Sequence, residues 1–378
     1  MKILTVLLVL LSFQKSVAQS YEQLMDLAST QIKLEKYNEA LLIFQKAFKK
    51  QDDKGKYDYA NALVIALRCG KTNLAIEWLN EGVKLGLGDN EQELSYFKND
   101  SIFKSILHDH TYKKILAKMD VQIQEKYKLD KIWQDEILSN VISRKQASYQ
   151  NARQGFALYH INQDGLEIPY LVFVPKGYQC DTPTRALFFL HGGVSAHEAS
   201  LTVDPQTRFE PIFTIADSTN SIVIYPFQKG NPGWKNYDNC SAIIAKILDE
   251  VKLRYYLNTK TIYLGGLSMG GNVCYQFALE RNTPFRAFYT ISARPKIVDF
   301  ESKNGISELA HPIYSLHAKD DNLYAYEDLM KVYQQVEKET KNWVLKSVED
   351  GGHGFSYLPA GKKSTLEFFR MMFNKEEE

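Results

Sequence analysis

Residues 266–270 read Gly266-Leu267-Ser268-Met269-Gly270, directly after the apolar run Thr261-Ile262-Tyr263-Leu264-Gly265. A G-x-S-x-G pattern between a strand and a helix exposes one serine on a tight, strained turn. Small residues flank that serine because side chains there would meet the strand or the helix. The hydroxyl of Ser268 would then stand above a sheet, at the start of a helix running through 272–279. Attack on a carbonyl carbon is the chemistry such a turn serves, but a serine hydroxyl is a poor nucleophile near neutral pH. It needs a base within hydrogen-bond reach and a carboxylate that orients the base. A plain Gly-rich turn is the alternative, and what separates the two is whether the chain supplies those partners in the order serine, acid, histidine.

That order is present. His353 lies in Glu349-Asp350-Gly351-Gly352-His353-Gly354-Phe355, after the strand-like run 342–348. Glycines around one histidine suit a loop that hangs an imidazole over a sheet edge, so His353 is the expected general base. A strand-like run Ile313-Tyr314-Ser315-Leu316-His317-Ala318 is followed by Lys319-Asp320-Asp321, and either aspartate could be the acid. An acyl-transfer site also needs donors for the oxyanion. One is the amide of Met269, the residue after the nucleophile. The other should come from the loop after the third strand. There the buried-strand pattern Ala186-Leu187-Phe188-Phe189-Leu190 runs into His191-Gly192-Gly193, and the second donor is assigned to Gly193, with His191 holding the loop.

At this point the C-terminal half resembles an α/β-hydrolase. More narrowly, it is similar to secreted esterases of the feruloyl-esterase and polyhydroxybutyrate-depolymerase type. The matching stretches are 169–178, 187–193, Ile222-Val223-Ile224-Tyr225-Pro226 and 262–271, within a span of about 156–375. The resemblance implies a serine hydrolase acting on carboxylic esters of small molecules or polysaccharides, with no metal or organic cofactor. It also bears on the acid. Asp320 fits the downstream D-x-x-V-P spacing of relatives, whereas Asp321 fits the upstream H-G-x-x-D spacing from His317. Asp320 is preferred, and the other aspartate would be solvated or would cap the helix near Tyr324. The chain departs from the family pattern at Ala318, where relatives often have Gly, and at Tyr324, where they often have Pro.

Around these residues a layered fold is expected. Runs at 156–161 and 166–174 flank the hairpin turn Asn162-Gln163-Asp164-Gly165. Strands at 185–190, 221–225, 260–264, 287–291, 312–317 and 342–348 then alternate with helices near 207–218, 239–255, 269–281, 325–338 and 362–373. That alternation predicts a doubly wound, mostly parallel sheet covered on both faces, with its site at the carboxyl ends of the strands. The loop 228–237, with Gly230, Pro232, Gly233 and Trp234, would border the pocket. Trp234 could line the acyl or sugar site, or anchor the loop.

Residues 1–18 read as a signal peptide: Lys2, an apolar run 3–11, and Ser16-Val17-Ala18 before a mature start at Gln19. The chain is therefore expected to be exported, periplasmic or extracellular in a bacterial host. The apolar run is too short for a stable membrane span. Residues 19–125 form a helical segment with a weak repeat. Ala40, Phe44 and Ala47 recur as Ala75, Leu79 and Gly82, close to the tetratricopeptide period of about 34 residues. Turns are expected at Glu35-Lys36-Tyr37-Asn38 and Gly70-Lys71-Thr72-Asn73, and a degenerate third unit near 96–125. Such repeats could recruit a protein partner; an ordinary helical cap is the plainer reading. Residues 126–155 look like a helical linker before the catalytic domain 156–378. A net charge of +1 in 378 residues argues against nucleic-acid binding by bulk electrostatics. Cys69, Cys180, Cys240 and Cys274 fit no metal spacing, and Cys180 could pair with Cys240 in an oxidising compartment. Two rivals remain: a peptidase of the prolyl-oligopeptidase type, and a non-catalytic binding protein on a hydrolase fold.

Overall fold

The computed structural model of the protein describes residues 19–50, 54–193, 203–227, 234, 237–295 and 309–377. The signal peptide expected at 1–18 lies outside the described residues, as do 228–233 and 235–236 of the loop expected to border the pocket. The chain divides into two compact units, Met1–Asp130 and Lys131–Glu378.

The first unit is helical. Its hairpins pair α1 (Tyr21–Lys33) with α2 (Tyr37–Ala47) and α3 (Lys56–Arg68) with α4 (Thr72–Lys84). Both helices of the second hairpin start 35 residues after their counterparts. The turns match too: Glu35 and Gly70, in equivalent places, have φ of 57° and 69°. Ala40, Phe44 and Ala47 on α2 and Ala75, Leu79 and Gly82 on α4 are all buried. Small side chains on one stripe let paired helices approach closely. Beyond them, α5 (Glu91–Asn99) and a short 3₁₀ turn bring Phe97 and Phe103 against Tyr112, at the start of α6 (His110–Ser139). The Tyr112 hydroxyl donates to Phe97 O at 2.6 Å, which satisfies the phenol inside this apolar cluster.

The second unit is built on a sheet of strands β1 (Gly155–Gln163), β2 (Leu166–Val174), β3 (Thr184–Leu190), β4 (Ser221–Pro226), β5 (Leu257–Leu267), β6 (Ala287–Ile291), β7 (Ile313–Ala318) and β8 (Trp343–Val348). Their order is β1-β2-β4-β3-β5-β6-β7-β8. The β1–β2 hairpin turns through Asp164 and Gly165, both at positive φ, and β2 pairs antiparallel with β4. From β4 to β8 every pairing is parallel. Parallel strands need crossovers, and helices supply them on both faces. Alternate residues accordingly enter different cores. Ala186, Phe188 and Leu190 of β3 join Val273 and Tyr275 of α9 (Met269–Phe277) and Ile243 and Ile247 of α8 (Tyr237–Lys252). Leu187 and Phe189 face Ile212 and Phe213 of α7 (Pro211–Ser218) and Phe369 of α11 (Pro359–Glu377). Burial on both faces explains why these strands read as unbroken apolar runs. The helix between β7 and β8 is α10 (Tyr326–Glu339). Several bounds differ from expectation: β5 begins earlier, at Leu257, α7 begins later, at Pro211, α9 ends at Phe277, and α11 extends over Pro359–Glu377. All four cysteines are free thiols, with Cys180 exposed and Cys240 buried.

Candidate active site

The elbow forms where β5 meets α9. Ser268 is the N-cap of α9, at φ 51° and ψ −118°, a region that disfavours any L side chain. The flanking glycines are dictated by β3. A methyl group on Gly266 would lie 2.4 Å from Leu190 O, and one on Gly270 only 2.1 Å from the same oxygen. The obstacle in both cases is the backbone of a central strand, which has no rotamer with which to yield. Gly270→Ala is expected to destabilise the protein by about 3 kcal/mol or more, at the severe end of overpacking. Denaturant unfolding checks this, and an unchanged midpoint would contradict the packing described.

His353 reaches Ser268 from the loop after β8. Its Nε2 lies 2.9 Å from Ser268 Oγ, and its Nδ1 lies 2.8 Å from Asp321 Oδ2. A carboxylate only accepts, so Nδ1 carries the proton and Nε2 is left to accept from the serine. The three side chains therefore form one hydrogen-bonded line from carboxylate to hydroxyl.

The aspartate in that line is Asp321, not the Asp320 preferred from spacing. Asp321 turns inward past the end of β7 and is 4% exposed. Its Oδ1 accepts from the amides of Leu323 and Tyr324, each at 2.9 Å, which leaves Oδ2 for the imidazole. Asp320 turns outward, where its oxygens accept from Gly351 N at 3.0 Å and Gly352 N at 2.8 Å. It holds the backbone of the histidine loop and does not touch the ring. A second imidazole, absent from the sequence-based site, also faces Asp321. His317 Nε2 lies 3.3 Å from Oδ2 and donates to Tyr324 O at 2.7 Å. Burial pushes the pKa of His317 below its ordinary value, which favours the neutral ring. The upstream His317 to Asp321 spacing is the signal that points to the aspartate facing His353.

The third-strand loop lies against the elbow. A methyl on Gly192 would sit 3.7 Å from Ser268 Cβ, and one on Gly193 3.2 Å from Met269 Cε. Met269 is the first residue of α9, where the helix offers no partner for its N–H. Both expected amides thus belong to segments that meet beside the serine. His191 is 8% exposed and its Nδ1 donates to Gly192 O at 2.7 Å; burial lowers its pKa. Trp234 is 3% exposed, and its Nε1 donates to His191 O at 2.9 Å. Burial and the bond to His191 O fit the anchoring place of the two open to Trp234. Beyond these three side chains, Tyr324 sets its ring edge-on to His353, with centroids 5.1 Å apart. Asn272 Nδ2 donates to the Tyr324 hydroxyl at 3.1 Å.

Residues 226–364 match the model of the dienelactone hydrolase family, a stretch that contains Ser268, Asp321 and His353. The bifunctional acetylxylan esterase/xylanase XynS20E of Neocallimastix patriciarum is 31% identical over 134 residues, 34% of this chain and 18% of that protein. The match therefore spans less than a fifth of that relative's length. Among solved structures, a thermostable esterase has a TM-score of 0.45 at 21% identity, covering 57% of this chain and 62% of that one. Est1E from Butyrivibrio proteoclasticus has a TM-score of 0.43 at 14% identity, covering 58% of this chain and 98% of that one. By its sheet order, its strand-to-helix elbow and its helices on both faces, the second unit has the α/β-hydrolase fold, and the dienelactone hydrolase match falls upon it.

Proposed function

We propose that this chain is an exported serine hydrolase that cleaves carboxylic esters through Ser268, His353 and Asp321. The observation that carries the reading is the unbroken line from Asp321 Oδ2 through the imidazole to Ser268 Oγ, with links of 2.8 and 2.9 Å. Ser268 Oγ attacks the ester carbonyl while its proton passes to His353 Nε2. Asp321 stabilises the imidazolium and holds its tautomer. The amides of Met269 and Gly193 receive the oxyanion, helped by the positive end of the α9 dipole. Collapse breaks the acyl carbon–oxygen bond, and His353 returns the proton to the departing alcohol. Water then repeats the sequence on the acyl-enzyme, releasing the acid and restoring the serine.

Acetyl or feruloyl esters of plant polysaccharide are the proposed substrates, the acetyl esters supported by the likeness to an acetylxylan esterase. The first unit is proposed as a tetratricopeptide-like module that binds a protein partner, supported by its two hairpins at a 35-residue step. A panel of acetylated xylan, methyl ferulate, activated short-chain esters and blocked peptide amides tests the reading. Turnover of the esters with little on the amides is expected. Turnover of the amides ahead of every ester would turn the assignment to a peptidase, and no turnover at all to a binding protein.

A further inference from the structure

The segments that carry the triad are tied together by two residues that take no part in the chemistry. Ile291 ends β6 and Ser292 follows it. The amide of Ser268 donates to Ile291 O at 2.9 Å. The amide of Ser292 donates to Leu316 O at 3.0 Å, in β7 shortly before Asp321. The hydroxyl of Ser292 donates to His353 O at 2.8 Å. Nucleophile, acid and base segments thus all meet at the carboxyl end of one strand.

We infer that Ser292 is a positioning residue that pins the His353 backbone to the strand holding the nucleophile's amide. The histidine loop needs such a pin. Gly351, Gly352 and Gly354 surround the base. Its link to Asp320 is exposed to solvent, whereas Ser292 is 0% exposed. Ser292 also has φ 46°, where glycine would be favoured over any residue with a β-carbon. A position kept for its backbone conformation alone would be improved by glycine. A serine there trades conformational ease for a hydroxyl, and the hydroxyl is spent on the base. Strain of this kind concentrates where a site must be over-determined.

The inference rests on the triad reading above, and Ser292→Gly in the full chain tests it. The variant relieves the positive φ and removes only the pin. With the native circular dichroism retained, kcat for an activated ester is expected to fall roughly tenfold to a hundredfold, the scale of a misplaced catalytic group. KM should stay within about twofold, and labelling of Ser268 by a fluorophosphonate should slow by the same factor as kcat. The proton resonance of His353 Nδ1 should shift or broaden. A folded variant with kcat and labelling within about twofold of the parent overturns the inference. Should Ser292→Gly fail to fold, Ser292→Ala is judged by the same measurements and the same outcomes. If the parent neither turns over esters nor takes the label, the proposed function fails separately. The His353 resonance then still decides the matter, since an unchanged signal in the glycine variant rejects the pin.

Discussion

Ser268→Ala is expected to lower kcat for an activated short-chain ester by on the order of 10⁴-fold or more, with KM little changed. The substitution deletes the one oxygen that His353 Nε2 faces at 2.9 Å. Among the described residues, Ser268 Oγ is the hydroxyl within hydrogen-bond distance of that imidazole nitrogen. What remains is the binding of the ester and the amides of the oxyanion site, which alone sustain only a residual rate over water. The backbone at 268 is strained for alanine as it is for serine, at φ 51°, so the loss should come without a large change in melting. A folded Ser268→Ala protein that keeps more than about a tenth of the parent rate would remove serine from the chemistry.

The adjacent aspartates give the second large effect, and it separates them. Asp321→Asn is expected to cost about 10³- to 10⁴-fold in kcat, against less than about tenfold for Asp320→Asn. An asparagine at 321 can keep its carbonyl oxygen on the amides of Leu323 and Tyr324, which Asp321 Oδ1 accepts at 2.9 Å. Its NH₂ then faces His353 Nδ1, where an acceptor is needed. The imidazole is driven to the tautomer with its proton on Nε2, and it can no longer take the proton of Ser268. At 320 the same change leaves one oxygen for the amides of Gly351 and Gly352 and leaves the ring untouched. Steady-state kinetics on both variants check this. A larger loss at 320 than at 321 would reverse the assignment.

The strands were legible because a parallel sheet buries both faces, so Ile222, Val223, Ile224 and Tyr225 are apolar in succession. Ser268 and His353 were legible because each sits in a local pattern whose glycines serve a local need. The acid was not settled by spacing. Asp320 and Asp321 are neighbours, and only the path of the chain past β7 decides which carboxylate turns inward to 4% exposure. Trp234 is a similar case, since the bond that holds its ring goes to a carbonyl at His191, far away in sequence. Ser292 carries no local signature at all. Its importance arises from three segments that converge in space, and a serine after an apolar strand looks like any other.

The most direct measurement is a fluorophosphonate reaction on the folded full chain, with the adduct mapped by mass spectrometry. The account predicts one adduct, on Ser268, formed quickly in the parent and slowly in Asp321→Asn. A folded protein that takes no label, or takes it on another serine, would contradict it.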